Sequence, residues 1–449
     1  MNAAITGAVS EPGTQRAALR PVASPIFVLY CYFLVDFYVR FSERIPGYGL
    51  IRPTLLLVGL LTIAALAQGE RLKALAREPP VRTVFFLVIY VVVSLPLVEW
   101  PGSVIRENIQ DFVKAVVFIF FTALFVDTDR RLKVTVFLFM GLQAFRVLEP
   151  LYLYLITGRL GGYTYAGGEF AGRLNGAPAD VVNANGLGFV IVTTLGFMHF
   201  LMMASPSWLV RAVYLLGLLP TFLYALVLTS SRGAFITAVV LLAFIFWQTR
   251  YKLFLGLLTI AMAIVGWAQM SDFSRDRYLS LVGMGTQEET VDGRIDLMMK
   301  EFRLGFYRPI VGHGVGTTAE AKVNQLGGRS QASHNLYGQL IIETGLIGFA
   351  IFMTFVWRNF RLLQDNLRRF RGLSAAGADV SSFQIRLNRA LLAVFWIYAV
   401  YSLNYFGLSQ EYWYLFGGLC VAFSRSVWRS EQTLAHEAIG HPVDSRVPG

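Results

Sequence analysis

The stretch "ASHNLYGQLIIETGLIG", residues 332–348, sets a histidine and an asparagine at the mouth of an apolar run. It also carries Glu343 about two and a half helical turns further in. The apolar run continues to about residue 357, long enough to cross a hydrocarbon core of about 30 Å. A polar mouth on a membrane-grade helix marks an interface. The function of His334, Asn335 and Glu343 depends on what the rest of the chain brings to that interface.

The 449 residues are 55% hydrophobic and only 15% charged, with 36 Phe, a composition that fits a polytopic membrane protein and excludes an ordinary soluble domain. Cys31 and Cys420 both lie in apolar runs and read as small core residues, not as a disulfide or a metal site. The segment 1–25 holds Arg16 and Arg20 but no apolar core, so the first membrane helix is expected to do the targeting. Runs of spanning length occur near 25–42, 49–69, 81–98, 109–126, 132–156, 186–204, 210–229, 233–249, 252–269, 337–357, 389–406 and 411–427. The fold expected from them is all-α, a polytopic membrane protein of about twelve transmembrane helices.

The loops alternate in basic charge. "RLKALAREPPVR" (71–82), "DRRLK" (129–133), "TRYK" (249–252) and the arginine-rich segment 358–389 form one set, joined by both chain ends. The positive-inside rule puts this set in the cytoplasm, and each member is reached after an even number of crossings. The net charge of +11 is therefore mostly topological, and a nucleic-acid partner is not expected. The expected organisation is a cytoplasmic tail over 1–24, nine helices over 25–269 with an outward loop at 157–185, and a large outward loop over 270–335. Three helices follow over 336–428, with a cytoplasmic loop at 358–388, and then a cytoplasmic tail over 429–449. The large loop reads as amphipathic helical pieces such as "GRIDLMMKEFRLGFY" (293–307), closed by the glycine turn "GHGVGT" (312–317). Long ordered loops of this kind usually carry function.

The outward side holds cations that the charge rule does not explain: Arg173 in "AGRLNG", Arg232 in "SSRGAF", Arg294 in "DGRIDL", Arg303 and Arg308. Arg232 stands out because it begins a helix with almost no loop to hold it in water. A charge at a helix centre costs about 2.5–3.5 kcal/mol on insertion scales. Two readings are open for these arginines. One is snorkelling to the headgroups; the other is an anion site, since a guanidinium fork binds phosphate bidentately and stays charged. His334 is likewise open. "SHN" supplies good helix-start residues in Ser333 and Asn335, and an imidazole is also the usual general base at neutral pH. His313 reads as a loop histidine or a substrate contact, and His199 as a packed residue.

Three motifs carry no chemistry. "DTD" (127–129) resembles a metal-binding Asp-x-Asp pair but lies in a short cytoplasmic turn before Arg130 and Arg131. "HEAIGH" (436–441) spaces its histidines five apart, which puts them on different helix faces. "GHGVGT" lacks the Lys-Ser/Thr of a phosphate-binding loop.

Taken together these residues resemble the O-antigen ligase and O-antigen polymerase superfamily of bacterial membrane glycosyltransferases. The family pattern of His, then Asn/Ser/Gln, nine residues, Gly, two residues and a small residue reads here as His334-Asn335, nine residues, Gly345-Leu346-Ile347-Gly348. "SSRGAF", "GRLNG…NANGLG" (172–188) and "RPIVGHGVG" (308–316) support it, and Arg294 with Gly305 resembles the Arg-x10-Gly pattern of the polymerases. The resemblance covers about residues 170–350.

It implies a C-type glycosyltransferase-like architecture with a large periplasmic loop between the ninth and tenth helices. It further implies an inverting, metal-independent transfer without cofactor, at the periplasmic face of the bacterial inner membrane. The donor would be a glycan on undecaprenyl diphosphate and the ligase acceptor the lipid A–core oligosaccharide. A polymerase would use another lipid-linked repeat as acceptor. A glycolipid transporter or flippase is the rival from another class, disfavoured because the polar residues gather at one face and no repeat is evident. By this resemblance His334 is the base, and Arg173, Arg232 and Arg294 bind the diphosphate. Asn335, Arg308 and His313 contribute to the substrate site, while Gly345 and Gly348 allow close approach at membrane depth. Glu343 reads as structural. Transfer is expected to survive EDTA in full; a loss that added Mg²⁺ or Mn²⁺ restores would reveal a metal site that the sequence conceals.

Overall fold

The computed structural model describes residues 21–166, 169–180, 182–270, 272–279, 288–327, 333–375, 381–405 and 407–440. The principal helices are α1 (Ser24–Val39), α2 (Pro53–Leu66), α3 (Pro79–Ser94), α4 (Ile109–Phe125), α5 (Asp129–Thr157) and α6 (Ala184–Met198). They continue with α7 (Leu219–Thr229), α8 (Arg232–Gln248), α9 (Lys252–Gln269), α10 (Asp272–Leu279), α11 (Glu288–Gly305) and α12 (Thr318–Leu326). The last three are α13 (Leu336–Ala375), α14 (Ser382–Tyr401) and α15 (Glu411–Gly440). Every apolar run in the sequence is helical. Among the described residues seven helical stretches are long and apolar enough to cross a membrane, and α1, α3 and α8 are shorter apolar helices.

The bundle is built around α6. Nearly all of its side chains are buried, and it packs against α5, α7, α8 and α14. Small residues permit this: a Cβ on Gly188 would lie 2.5 Å from the Cβ of Ala234 on α8. Elsewhere α15 runs along α4, and α13 along α3. On the basic side, Asp127 of the rejected Asp-x-Asp pair accepts from Arg71 at 2.9 Å and from Arg131 at 2.8 Å. It is a structural brace.

Two features depart from a purely helical expectation. The loop between α5 and α6 contains a hairpin: β1 (Gly161–Ala166) pairs antiparallel with β2 (Glu169–Leu174), with Gly162 opposite Arg173. The segment "GGYTYA" centres on the strand-forming run Tyr163-Thr164-Tyr165 and begins with two helix-disfavouring glycines, so local propensity favours strand over helix there. All-α is thus corrected to mostly helical.

The second departure is in the opening stretch, where α13 is broken at Gly345. Its φ of 63° and ψ of −171° fall in a region open essentially to glycine alone. The chain entering the glycine turn crosses at this break. A Cβ on Gly345 would lie 2.3 Å from the Ile310 carbonyl oxygen, and Leu346 N donates to Pro309 O at 2.6 Å. Gly312 (φ 74°) faces the same crossing, where a Cβ would sit 2.6 Å from the backbone of residues 343–345. The glycine of the motif admits a loop backbone, not a neighbouring helix. Gly345→Ala should therefore lower unfolding stability in detergent by about 2–4 kcal/mol, from strain and overlap together. Gly141→Ala, where no atom lies within 4 Å of the added Cβ, should leave it unchanged or raised.

Candidate functional site

The junction of α7 and α8 turns in a single left-handed residue, Ser230 (φ 46°, ψ 35°). Ser231 then caps α8 by accepting from Ala234 N at 3.4 Å, so Arg232 is the first helical residue. Two further arginines converge on this corner from neighbouring elements. Arg173 on β2 donates through Nε to Thr229 O at 2.8 Å and through a terminal nitrogen to Asn185 Oδ1 at 2.8 Å. Arg277 on α10 donates through Nε to Ser230 O at 3.2 Å, while Ser274 on the same helix hydrogen-bonds Ser230 Oγ at 2.8 Å. The exposures of Arg173, Arg232 and Arg277 are 7, 4 and 4%.

Two guanidiniums held by adjacent carbonyls of one helix corner, with the buried Arg232 beside them, make a patch of positive potential with little water around it, where charge–charge interactions are strong. Tyr278 beside them registers both effects. Burial pushes its phenol up to about 12, and the charges of Arg173 and Arg277 act in the opposite direction.

The second corner is the start of α13. Asn335 accepts from Tyr337 N at 2.9 Å through its side-chain oxygen, a local cap on the first turn. Ser333 and Asn335 are buried, whereas the ring between them, His334, is exposed. The two corners are joined through the turn that follows α14. Leu336 N donates to Ser402 O at 2.8 Å, the neighbouring Tyr401 hydroxyl donates to Asn185 O at 2.5 Å, and Asn185 holds Arg173. The same turn reaches back to both helices. Asn404 packs so closely on Gly233 that a Cβ there would lie 2.0 Å from its amide nitrogen. Gln339 Oε1 accepts from Gly407 N at 3.0 Å and Leu408 N at 3.3 Å.

The remaining expected residues sit elsewhere. His313 is fully buried, stacked on Trp100 with ring centroids 5.3 Å apart. Its Nδ1 faces Glu99 Oε2 at 2.5 Å and its Nε2 faces Leu304 O at 3.4 Å, which leaves no ring nitrogen for a substrate. Arg308 donates to Leu97 O at 2.7 Å. Both fasten the large loop to the turn after α3. Arg303 is exposed on α11. Arg294 also lies on α11, but its side chain is outside the described residues.

Glu343, buried about two turns into α13, pairs with no arginine among the described residues. Oε2 accepts from Gly316 N at 2.8 Å, and Oε1 accepts from Thr318 Oγ1 at 2.7 Å and Gln339 Nε2 at 3.1 Å. Sequence reasoning missed Arg277 and the 401–408 turn. Arg277 is one of three charged residues in "RDRY" and nothing local separates it from its neighbours, but Asn404 among aromatic residues was a usable signal.

Residues 216–353 match the family model described as O-Antigen ligase. No curated protein matches the chain. The matched segment runs from α7 through the Gly345 break and includes Arg232, Arg277, His334 and Asn335. It supports the O-antigen ligase superfamily.

Proposed function

We propose that this chain, with its O-antigen ligase domain at 216–353, is a membrane glycosyltransferase of the ligase type. It would transfer a glycan from undecaprenyl diphosphate to the lipid A–core oligosaccharide, with both chain ends in the cytoplasm, twelve crossings, and its site at the periplasmic face of the inner membrane. The observation that carries this reading is the convergence of Arg173, Arg232 and Arg277 on one helix corner, tied through the 401–408 turn to the corner of an exposed histidine. A buried cationic patch suits a diphosphate. An exposed imidazole beside it suits an acceptor that arrives from water.

In this mechanism His334 takes the proton of the acceptor hydroxyl as its oxygen attacks the anomeric carbon. The bond from that carbon to the phosphate oxygen breaks, its electron pair leaves with undecaprenyl diphosphate, and the configuration inverts. The arginines stabilise the negative charge that grows on the leaving diphosphate. Donors already fixed to a rigid corner need no reorganisation when that charge appears, which makes such a term among the largest available to an enzyme. Asn335 fixes the start of α13, and Arg294 on the loop helix would add a further cation.

The deciding assay incubates purified protein with lipid-linked glycan and lipid A–core and resolves the products on a gel. Glycan on lipid A–core supports the ligase. Longer chains still on undecaprenyl diphosphate would instead identify a polymerase, and no product at all would remove the transferase reading.

His334→Ala should fold normally yet lose about 10²–10⁴-fold in turnover, the range for a positioned acid–base group; near-normal turnover would reduce His334 to a helix-start residue. Arg232→Lys discriminates between a headgroup contact and an anion grip. A lysine reaches headgroups as well as an arginine does but cannot reproduce two parallel hydrogen bonds. Loss of one charge-assisted bond, about 1.5–3 kcal/mol, corresponds to about 10- to 150-fold in rate. A lysine variant with wild-type turnover would take Arg232 out of the site.

A further inference from the structure

Residues 402–404 run from one corner of the candidate site to the other. At the histidine corner, Ser402 O accepts from Leu336 N at 2.8 Å, and Leu336 lies two residues after His334. At the arginine corner, the Asn404 carboxamide lies over Gly233, the residue after Arg232. A Cβ on that glycine would fall 2.0 Å from the amide nitrogen and 3.0 Å from Cγ. Two residues of chain cover at most about 7 Å, a gap that a single sugar ring can bridge. The turn is firmly held. Asn404 N donates to Tyr401 O at 2.8 Å and Trp413 Nε1 donates to Ser402 Oγ at 3.2 Å, while the Tyr401 and Tyr405 rings lie 5.4 Å apart. Leu403 is 54% exposed and Asn404 is half-buried, so the described residues leave the segment accessible.

In an in-line displacement the anomeric carbon lies between the acceptor oxygen and the departing phosphate oxygen. With the base at one corner and the cations at the other, the ring that carries this carbon would lie along 402–404. Of the two polar side chains there, the Ser402 hydroxyl already accepts from Trp413, and Asn404 reaches the cations' corner. A carboxamide offers two N–H donors and an oxygen with two lone pairs. It can keep a partner in the protein and still meet a hydroxyl or an amide of a sugar. Its neutrality suits the place as well. A carboxylate beside the arginines would repel the diphosphate, and an ammonium would attract it whatever sugar it carried, whereas an amide reads the sugar alone.

We propose that Asn404 is a donor-recognition residue: its carboxamide hydrogen-bonds the sugar joined directly to the diphosphate, at a hydroxyl or amide of that ring, and so helps to choose which glycan is transferred. The inference rests on reading the two corners as one transferase site. Gly233 belongs to the same device, because any side chain there would drive the amide off the start of α8.

The test compares two ligands of the full-length purified protein: the lipid-linked glycan donor, and undecaprenyl diphosphate, which carries the anion and the tail but no sugar. Asn404→Ala should weaken donor binding about 5- to 50-fold, as expected for one or two lost hydrogen bonds, and leave the Kd for undecaprenyl diphosphate within about 2-fold of wild type. Asn404→Ser, whose hydroxyl is shorter, should fall between the two, and it decides by the same comparison if Asn404→Ala does not fold. Donor binding that is unchanged, or weakened no more than that of undecaprenyl diphosphate, overturns the proposal; in the second case Asn404 only props the arginine corner. The failure of the functional reading looks different. A selective loss of donor binding, in a protein whose wild type transfers no glycan, would defeat the transferase reading and leave the sugar contact standing.

Discussion

A carboxylate inside a membrane bundle has to be given donors, because water is not there to supply them. Glu343 receives three, from Gly316 N, the Thr318 hydroxyl and the Gln339 amide. Those bonds fix the glycine turn and the first residue of α12 against the outer part of α13. They also fix the crossing at Gly345, since the backbone of 308–312 lies on the residues that follow Glu343. Gln339 extends the same network to the turn after α14. This carboxylate gives the glycine turn and the start of α12 a buried polar seat on α13.

The early helices, which contribute no residue to the candidate site, serve this seat. Trp100 and Glu99 hold His313, Leu97 O holds Arg308, and the side chain of Asn108 lies where a Cβ on Gly316 would fall. The loop is thus clamped between the turn after α3 on one side and α13 on the other. Rigidity of this kind matters at a site whose chemistry is positional. In the proposed transfer, three buried arginines and one exposed histidine would act together only while the distances between their elements hold.

Much of this was legible in the chain itself. Apolar runs of spanning length are dictated by the hydrocarbon core, so all of them proved helical. Cations outside the basic loops were already anomalous by the charge rule, and Arg173 and Arg232 do meet at one corner. Asn335 caps a helix because a short carboxamide at that position can reach the second amide beyond it, a local relation that needs no tertiary contact. The glycines of "GHGVGT" adopt positive φ where the turn requires it.

Other features depend on pairs of residues far apart in sequence, and no local pattern encodes those. The partners of His313 and Arg308, which are Glu99, Trp100 and Leu97, lie over 200 positions away. The Glu301–Lys322 pair and its reach to Ser333 are equally invisible in the linear chain. Gly345 reads as a helix residue until a loop backbone is found lying across it. Sequence by itself determined which segments are apolar helices and which cations are out of place by the charge rule, because hydrophobicity and charge are properties of single residues and their neighbours. Only tertiary structure decided which polar groups share a site, because in a low-dielectric interior each buried charge takes whatever partner the packing brings to it.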